Sequence, residues 1–364
     1  MKKSKKIAII IISVLLAIIS LFLIALYFLF VYHYKGSNPI NPWSETDEFK
    51  IESIKTVSKQ KDKDFVILNF ADIQMCDLED LFNMSTVHSE ITYLIEKTKP
   101  DLITLTGDQT WSNENLISLK SLISWLDGYK IPYAPIFGNH DYGNQKNSSV
   151  AELNYCCDLY ESGKYSLFSR GPTNLGTLGN YVVNITEDGK ILKTLYMMDS
   201  GYEDKITDEQ IEWFKWNAEG IKNFNGGQYT DGMCFLHKPL PEYKNAYLSH
   251  VLNDGNAEPI GDVHVHYSLS GSKQNGFFEA AKKKNVLDVV CGHQHGNNFS
   301  IKYNGIRLTF ALKTGELGGY YDDGVVNLNG ATAFTLNESG VRIENHYVDS
   351  KQFHIKSSNN VYYV

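Results

Sequence analysis

The chain has 364 residues, 43% of them hydrophobic and 21% charged, which excludes disordered and fibrous classes and is long enough for one large domain with a well-buried core. Its net charge is −8, and four of the positive charges sit at the extreme N-terminus, so the remainder is more acidic still. With no basic run to follow a phosphate backbone, nucleic acid is not an expected partner, and no obligate protein partner is evident.

Lys2, Lys3, Lys5 and Lys6 precede the uncharged run from Ile7 to Tyr32. At 1.5 Å per residue this run exceeds the ~30 Å of a bilayer core, and it is longer than the roughly 7 to 15 apolar residues of a signal peptide. Tyr32, Tyr34 and Trp43 follow it, residue types that favour membrane interfaces. We therefore expect a transmembrane helix over 7–32, with residues 1–6 in the cytoplasm by the positive-inside rule. The rest of this single-pass chain then lies outside, at the cell surface or in a lumen. A polar juxtamembrane linker with Gly36, Pro39 and Pro42 is expected over 33–62, a large domain over 63–350 and a tail over 351–364.

Within the large domain, apolar runs at Phe65 to Phe70, Leu102 to Leu105 and Tyr133 to Phe137 alternate with helix-like stretches at Ser85 to Thr98 and Glu114 to Leu126, a β-α-β-α-β pattern with parallel strands. Tyr181 to Ile185 and Leu192 to Met198 flank the turn Glu187-Asp188-Gly189-Lys190 and predict a hairpin. Asp208 to Trp216 reads as a helix, Met233 to Leu236 and Val286 to Val290 as short strands, and Gly276 to Lys284 as the helix between them. From Phe299 onward strands are expected, with turns at Asn304-Gly305 and Asn337-Glu338-Ser339-Gly340.

The chemistry collects in the loops that follow apolar runs. These are Asp72-Ile73-Gln74, Gly107-Asp108, Gly138-Asn139-His140-Asp141, His237, and Gly292-His293-Gln294-His295. In an α/β sheet such loops share one edge, so residues distant in sequence can pool around a common centre. Mixed Asp, Asn, Gln and His donors suit borderline metals such as Mn, Fe or Zn. So many ligands fit two metal ions, divalent or trivalent, better than one. A pair roughly 3.5 to 4 Å apart shares a bridging carboxylate and clamps both oxygens of an in-line displacement at phosphorus. Asp108, behind a glycine that lets the backbone come close, is the expected bridge.

The set DxQ, GD, GNHD, a lone His and GHxH, in this order from Phe65 to about Gly319, resembles the calcineurin-like metallophosphoesterases. That resemblance implies a four-layer α/β-β/α metallophosphoesterase sandwich and hydrolysis of a phosphoester or phosphoanhydride on a phosphorylated small-molecule or surface substrate. It implies Asp72, Gln74 and His295 on one metal, Asp108 between the two, and Asn139, His237 and His293 on the other. His140 would face the leaving group, with Asp141 orienting its imidazole. Gln74 departs from the pattern, since most members have histidine there. A neutral, harder oxygen donor tilts the expectation towards Mn, and the DxQ start is similar to that of manganese-dependent ADP-ribose and CDP-alcohol diphosphatases. Gly179-Asn180-Tyr181, Tyr196-Met197-Met198-Asp199-Ser200-Gly201 and the run Phe235 to Glu242 look like short purple-acid-phosphatase-like proteins. A nucleotide-diphosphate-type hydrolase and a membrane-tethered binding protein without turnover are the alternatives.

Other residues read more plainly. Lys238, Arg170, Arg307 and Lys313 could meet a substrate phosphate, although solvated surface is the simpler expectation for each. His264 and His266 alternate along a strand or loop and stay off the ligand set. His88, His250, His346 and His354 lack a glycine-loop context. The five cysteines show no disulfide spacing, and Cys234 and Cys291, in apolar runs, are expected as buried small hydrophobes. Sequons at Asn83, Asn147, Asn184, Asn298 and Asn337 are not read as all glycosylated, because a glycan on Asn298 would crowd His295.

Overall fold

A computed structural model describes residues 2–30, 36–75, 84–111, 116–142, 150–201, 205–265, 269, 276–315, 329–348 and 361–363. Tyr32, Tyr34, Cys76, His266, His354 and the sequons at Asn83 and Asn147 lie outside them. The chain begins with helix α1 (Lys2–Phe30), whose stretch Lys5–Tyr27 has a mean hydropathy of 3.3 and buries none of its length against the protein. By length and composition this helix can cross a membrane.

Two mixed sheets follow. In the first, β2 (Phe65–Phe70), β3 (Leu102–Thr106) and β4 (Tyr133–Ile136) run parallel, connected by α2 (Met84–Thr98) and α3 (Leu116–Tyr129) as the sequence pattern predicts. Three antiparallel strands, β12 (Gly330–Asn337), β13 (Gly340–Tyr347) and β14 (Val361–Tyr363), extend it in the order β14-β13-β12-β2-β3-β4.

The second sheet has eight strands in the order β1-β5-β6-β7-β9-β11-β10-β8. They are β1 (Lys55–Ser58), β5 (Tyr181–Glu187), β6 (Lys190–Met197), β7 (Asp231–Phe235), β8 (Ala257–His264), β9 (Val286–Cys291), β10 (Asn298–Tyr303) and β11 (Ile306–Phe310). Both expected two-residue turns form. Asp188 and Gly189 take φ of 50° and 77°, and Asn304 and Gly305 take 50° and 95°, the left-handed pair that a tight hairpin needs.

The period-2 alternation of the second sheet explains why its strands are apolar on both faces. Val183, Leu195, Met197, Met233, Phe235 and Val290 point into a core shared with the first sheet. Their neighbours Val182, Tyr196, Cys234 and Val289 point the other way, into a core with Phe214 of α5 (Asp208–Phe224), Tyr243 of α6 (Pro241–Leu252) and Phe277 of α7 (Phe277–Lys283). With α2, α3 and α4 (Val150–Ser162) on the first sheet's side, the layers run helix, sheet, sheet, helix.

Several elements exceed the sequence expectations. Helix α4 was not foreseen, nor was α6, which starts with Pro241 at its first position. Strand β8 is an edge strand with no buried residue and no apolar run to mark it. Much of the stretch expected as linker is bound to the domain. Ser37 N–H donates to Asp158 at 2.7 Å, Trp43 N–H to Asn174 at 2.8 Å, and β1 pairs in parallel with β5.

Candidate metal centre

The loops meet at the carboxyl ends of strands from both sheets, three from the first and two from the second, where a single sheet edge was expected. Asp72 and Gln74 follow β2, Asp108 follows β3, Asn139 to Asp141 follow β4, His237 follows β7, and His293 and His295 follow β9. Backbone hydrogen bonds pin the loops together: Gln74 N–H donates to the Asp108 carbonyl at 2.9 Å, Asp72 N–H to Gly107 at 3.1 Å, and Gly292 N–H to His237 at 3.1 Å.

Asp72, Gln74, Asp108 and His293 all take left-handed φ, at 53°, 54°, 52° and 71°. Such backbone costs of order 1 kcal/mol or more per non-glycine residue and gathers where a site over-determines it. The glycines make room for the ligands. A Cβ on Gly138 would sit 2.2 Å from Asp108 Oδ1, and one on Gly292 would sit 2.4 Å from Asp72 Oδ2.

All seven expected ligands come together. Donor atoms of Asp108, His237 and His293 lie within 4.8 Å of one another, as do those of Asp72, Asp108 and His295, so Asp108 belongs to both groups. Asn139 Oδ1 is 3.0 Å from His237 Nε2, and Gln74 Nε2 is 3.5 Å from Asp108 Oδ2. The His237 Nδ1–H donates to the Thr106 carbonyl at 2.9 Å, which leaves Nε2 to face the centre. Gln74 is fully buried, and among the described residues its Oε1 has no hydrogen-bond partner. A cation is the partner that such an orphaned oxygen among buried carboxylates accepts, so the residues present fit a metal.

The charges agree with that fit. Burial alone would raise the Asp72 and Asp108 carboxyls, but His295 beside the first and His237 beside the second outweigh it and hold both below the usual carboxylate range. Burial alone would lower His237, yet Asp108 and Asp72 raise it to about 10, a field that favours positive charge. His293, with burial dominant, falls to about 3 and stays neutral, as a ligating imidazole must.

Asp141 departs from the expected role. Its carboxylate accepts from Gly138 N–H at 2.8 Å and from Thr110 N–H and Oγ1–H at 2.9 and 3.1 Å, so it braces the ligand loops and not the imidazole of His140. Burial, reinforced by Asp108, raises it to about 7. The His140 ring stacks on Trp111, with centroids 4.2 Å apart and planes 14° apart, and its Nε2 is 3.9 Å from Asp108 Oδ2.

The four cations are not the solvated side chains expected, since all are buried. Arg170 is neutralised by Asp158 and Glu161, and Arg307 donates to the Glu258 and Ser300 carbonyls. Lys313 Nζ donates to the Asp72 carbonyl at 2.6 Å, and Lys238 lies in the field of Asp108 and Asp199. Trp111 and the Tyr142–Asp199 hydrogen bond were missed as parts of this region. The stretch Tyr196 to Gly201, singled out in the sequence, contains Asp199 but gave no sign of its partner Tyr142. Cys234 and Cys291 are fully buried, as expected, and burial pushes both thiols up. Asn184 and Asn298 are buried too.

Two facing mixed sheets with carboxylate, amide and imidazole groups gathered at their strand ends define a metal-binding α/β sandwich. Residues 65–297 match the family described as calcineurin-like phosphoesterase, and the chain belongs to that family, whose members use a dinuclear metal centre. It is similar to the Saccharomyces cerevisiae protein named phosphatase DCR2, 26% identical over 301 residues that cover 74% of this chain and 49% of that protein. It is also similar to the Arabidopsis thaliana protein named probable inactive purple acid phosphatase 29, 25% identical over 244 residues that cover 60% of each. The chain thus spans about half to three-fifths of the length of these curated relatives. Among solved structures, "GAP50 the anchor in the inner membrane complex of Plasmodium" aligns at a TM-score of 0.48 and 14% identity, covering 83% of this chain and 89% of that one.

Proposed function

We propose that the protein is a membrane-tethered, metal-dependent hydrolase that cleaves a phosphoester or phosphoanhydride bond outside the cytoplasm. The observation that carries this reading is the buried cluster built on Asp108, whose carboxylate belongs to two groups of candidate ligands and lies 3.5 Å from the Gln74 side-chain amide. Asp72, Gln74 and His295 would hold one cation and Asn139, His237 and His293 the other, with Asp108 common to both. Two cations there supply charge for the phosphoryl oxygens and make a water more acidic. The neutral oxygen of Gln74 favours Mn, with Fe or Zn as alternatives.

The chain's own groups do the rest. Asp141 fixes the Gly138 loop, so Asn139 and His140 are presented from one rigid turn. His140, about a third exposed at the rim, is placed to give a proton to the departing oxygen as water attacks phosphorus in line. The lysines in the first turns of α1 set the topology, with the catalytic domain outside.

A binding protein without turnover is the rival reading, favoured by the relatives named as inactive. The full chain in detergent, stripped with chelator and reloaded with Mn, is assayed on p-nitrophenyl phosphate, bis-p-nitrophenyl phosphate and ADP-ribose. Mn-restored turnover on any of them supports the hydrolase, and the preferred one separates monoesterase from diphosphatase. No metal bound and no turnover with any of Mn, Fe or Zn sinks it.

A further inference from the structure

We propose that Trp111 is a positioning residue that holds the His140 imidazole towards the leaving group by ring stacking, a task that Asp141 does not perform here. This rests on the hydrolase reading above and adds to it the device that orients the proton donor.

Three observations carry it. The Asp141 carboxylate is committed to Gly138, Gln109 and Thr110, so the sequence neighbour of His140 cannot also fix its ring. The His140 backbone is set by its N–H donating to Asp108 Oδ1 at 2.8 Å, yet its side chain remains 31% exposed. Among the described residues, the imidazole is met by the near-parallel Trp111 indole, at 4.2 Å and 14°, and by Asp108 at 3.9 Å.

The Trp111 backbone is tied to the ligand loops. Its N–H donates to the Met75 carbonyl at 3.0 Å, Met75 N–H donates to Gln109 at 3.1 Å, and Met75 and Thr110 form a parallel bridge. The ladder that carries Asp72, Gln74 and Asp108 thus continues into the residue that backs His140. A rim imidazole without a partner samples several rotamers, and the indole face selects one ring plane. Loss of such a contact reduces the population of the productive rotamer by about 3- to 30-fold.

The test uses the full chain, reloaded with metal, and two esters of whichever class the wild type cleaves, one with an aryl and one with an alkyl leaving group. An alkoxide departs poorly without a proton, whereas a nitrophenolate needs little help. Trp111→Ala is expected to lower kcat on the alkyl ester about 3- to 30-fold and on the aryl ester less than about twofold, with KM and bound metal unchanged. Trp111→Phe keeps a π face and is expected to restore most of the loss. Trp111→Leu fills the space without one and reads the same quantity if the alanine variant is unstable. In the His140→Ala background, Trp111→Ala is expected to cost nothing further. Equal losses on both esters, or additive losses in the double variant, overturn the role of Trp111. A wild type inert on every ester sinks the hydrolase reading instead, and this inference with it.

Discussion

A Cβ added to Gly138 would lie 2.2 Å from Asp108 Oδ1 and 2.3 Å from the Asp108 backbone nitrogen, so the turn after β4 and the expected bridging carboxylate share a space that only glycine leaves open. Gly138→Ala must therefore displace one loop or the other. We expect it to abolish most metal binding while the two sheets stay folded, measured by bound metal and by far-ultraviolet circular dichroism. Full metal content in this variant would show that the two loops are not in contact.

Asp141 accepts backbone hydrogen bonds from three residues across two ligand loops while buried. Asp141→Ala leaves those donors unpaired and is expected to destabilise the fold by about 2 to 5 kcal/mol, read from urea unfolding. A rate loss with unchanged stability would return Asp141 to the orienting role first expected for it.

Gln74 tests whether function is held at the expense of stability. Gln74→Leu removes the unpartnered buried oxygen, so the metal-free variant should be as stable as the wild type or more so, by about 1 to 3 kcal/mol. Its Mn affinity should fall at least about tenfold. Unchanged Mn affinity would remove Gln74 from the ligand set.

His346 on β13 supplies a pH dependence away from the centre. Burial first, then Lys97 and Arg342, lower it from 6.5 to about 4. The folded state therefore prefers the neutral ring. This contribution is complete above about pH 6.5 and is lost as pH falls towards 4, because the unfolded chain takes up the proton first. His346→Gln should flatten the fall in melting temperature across that window, and an unchanged pH slope would exclude His346 as its source.

Much of this was legible in the sequence because strand-end motifs report their own context. An apolar run followed by Gly-Asp or Gly-Asn-His names both the strand and the loop that ends it, and the Asp188-Gly189 and Asn304-Gly305 turns carry their φ requirement in their residue types. Local pattern failed where tertiary packing decides. Edge strand β8 needs no apolar face, and β1 is a strand because β5 offers it an edge. Adjacency misled at His140-Asp141, since neighbours on a turn need not share a direction and Asp141 turns inward to the backbone of Gly138. The burial of Arg170 depends on Asp158 and Glu161, acids one turn apart on a helix that the sequence did not announce.

In the proposed centre Asp108 holds metal, while His140 serves the reaction without holding it. Bound Mn per chain and turnover, measured side by side for Asp108→Asn and His140→Ala, test it most directly. We expect Asp108→Asn to lose most of both, and His140→Ala to keep its metal and slow by roughly 10² to 10⁴. Equal metal loss in the two variants, or full occupancy and full rate in Asp108→Asn, would contradict it.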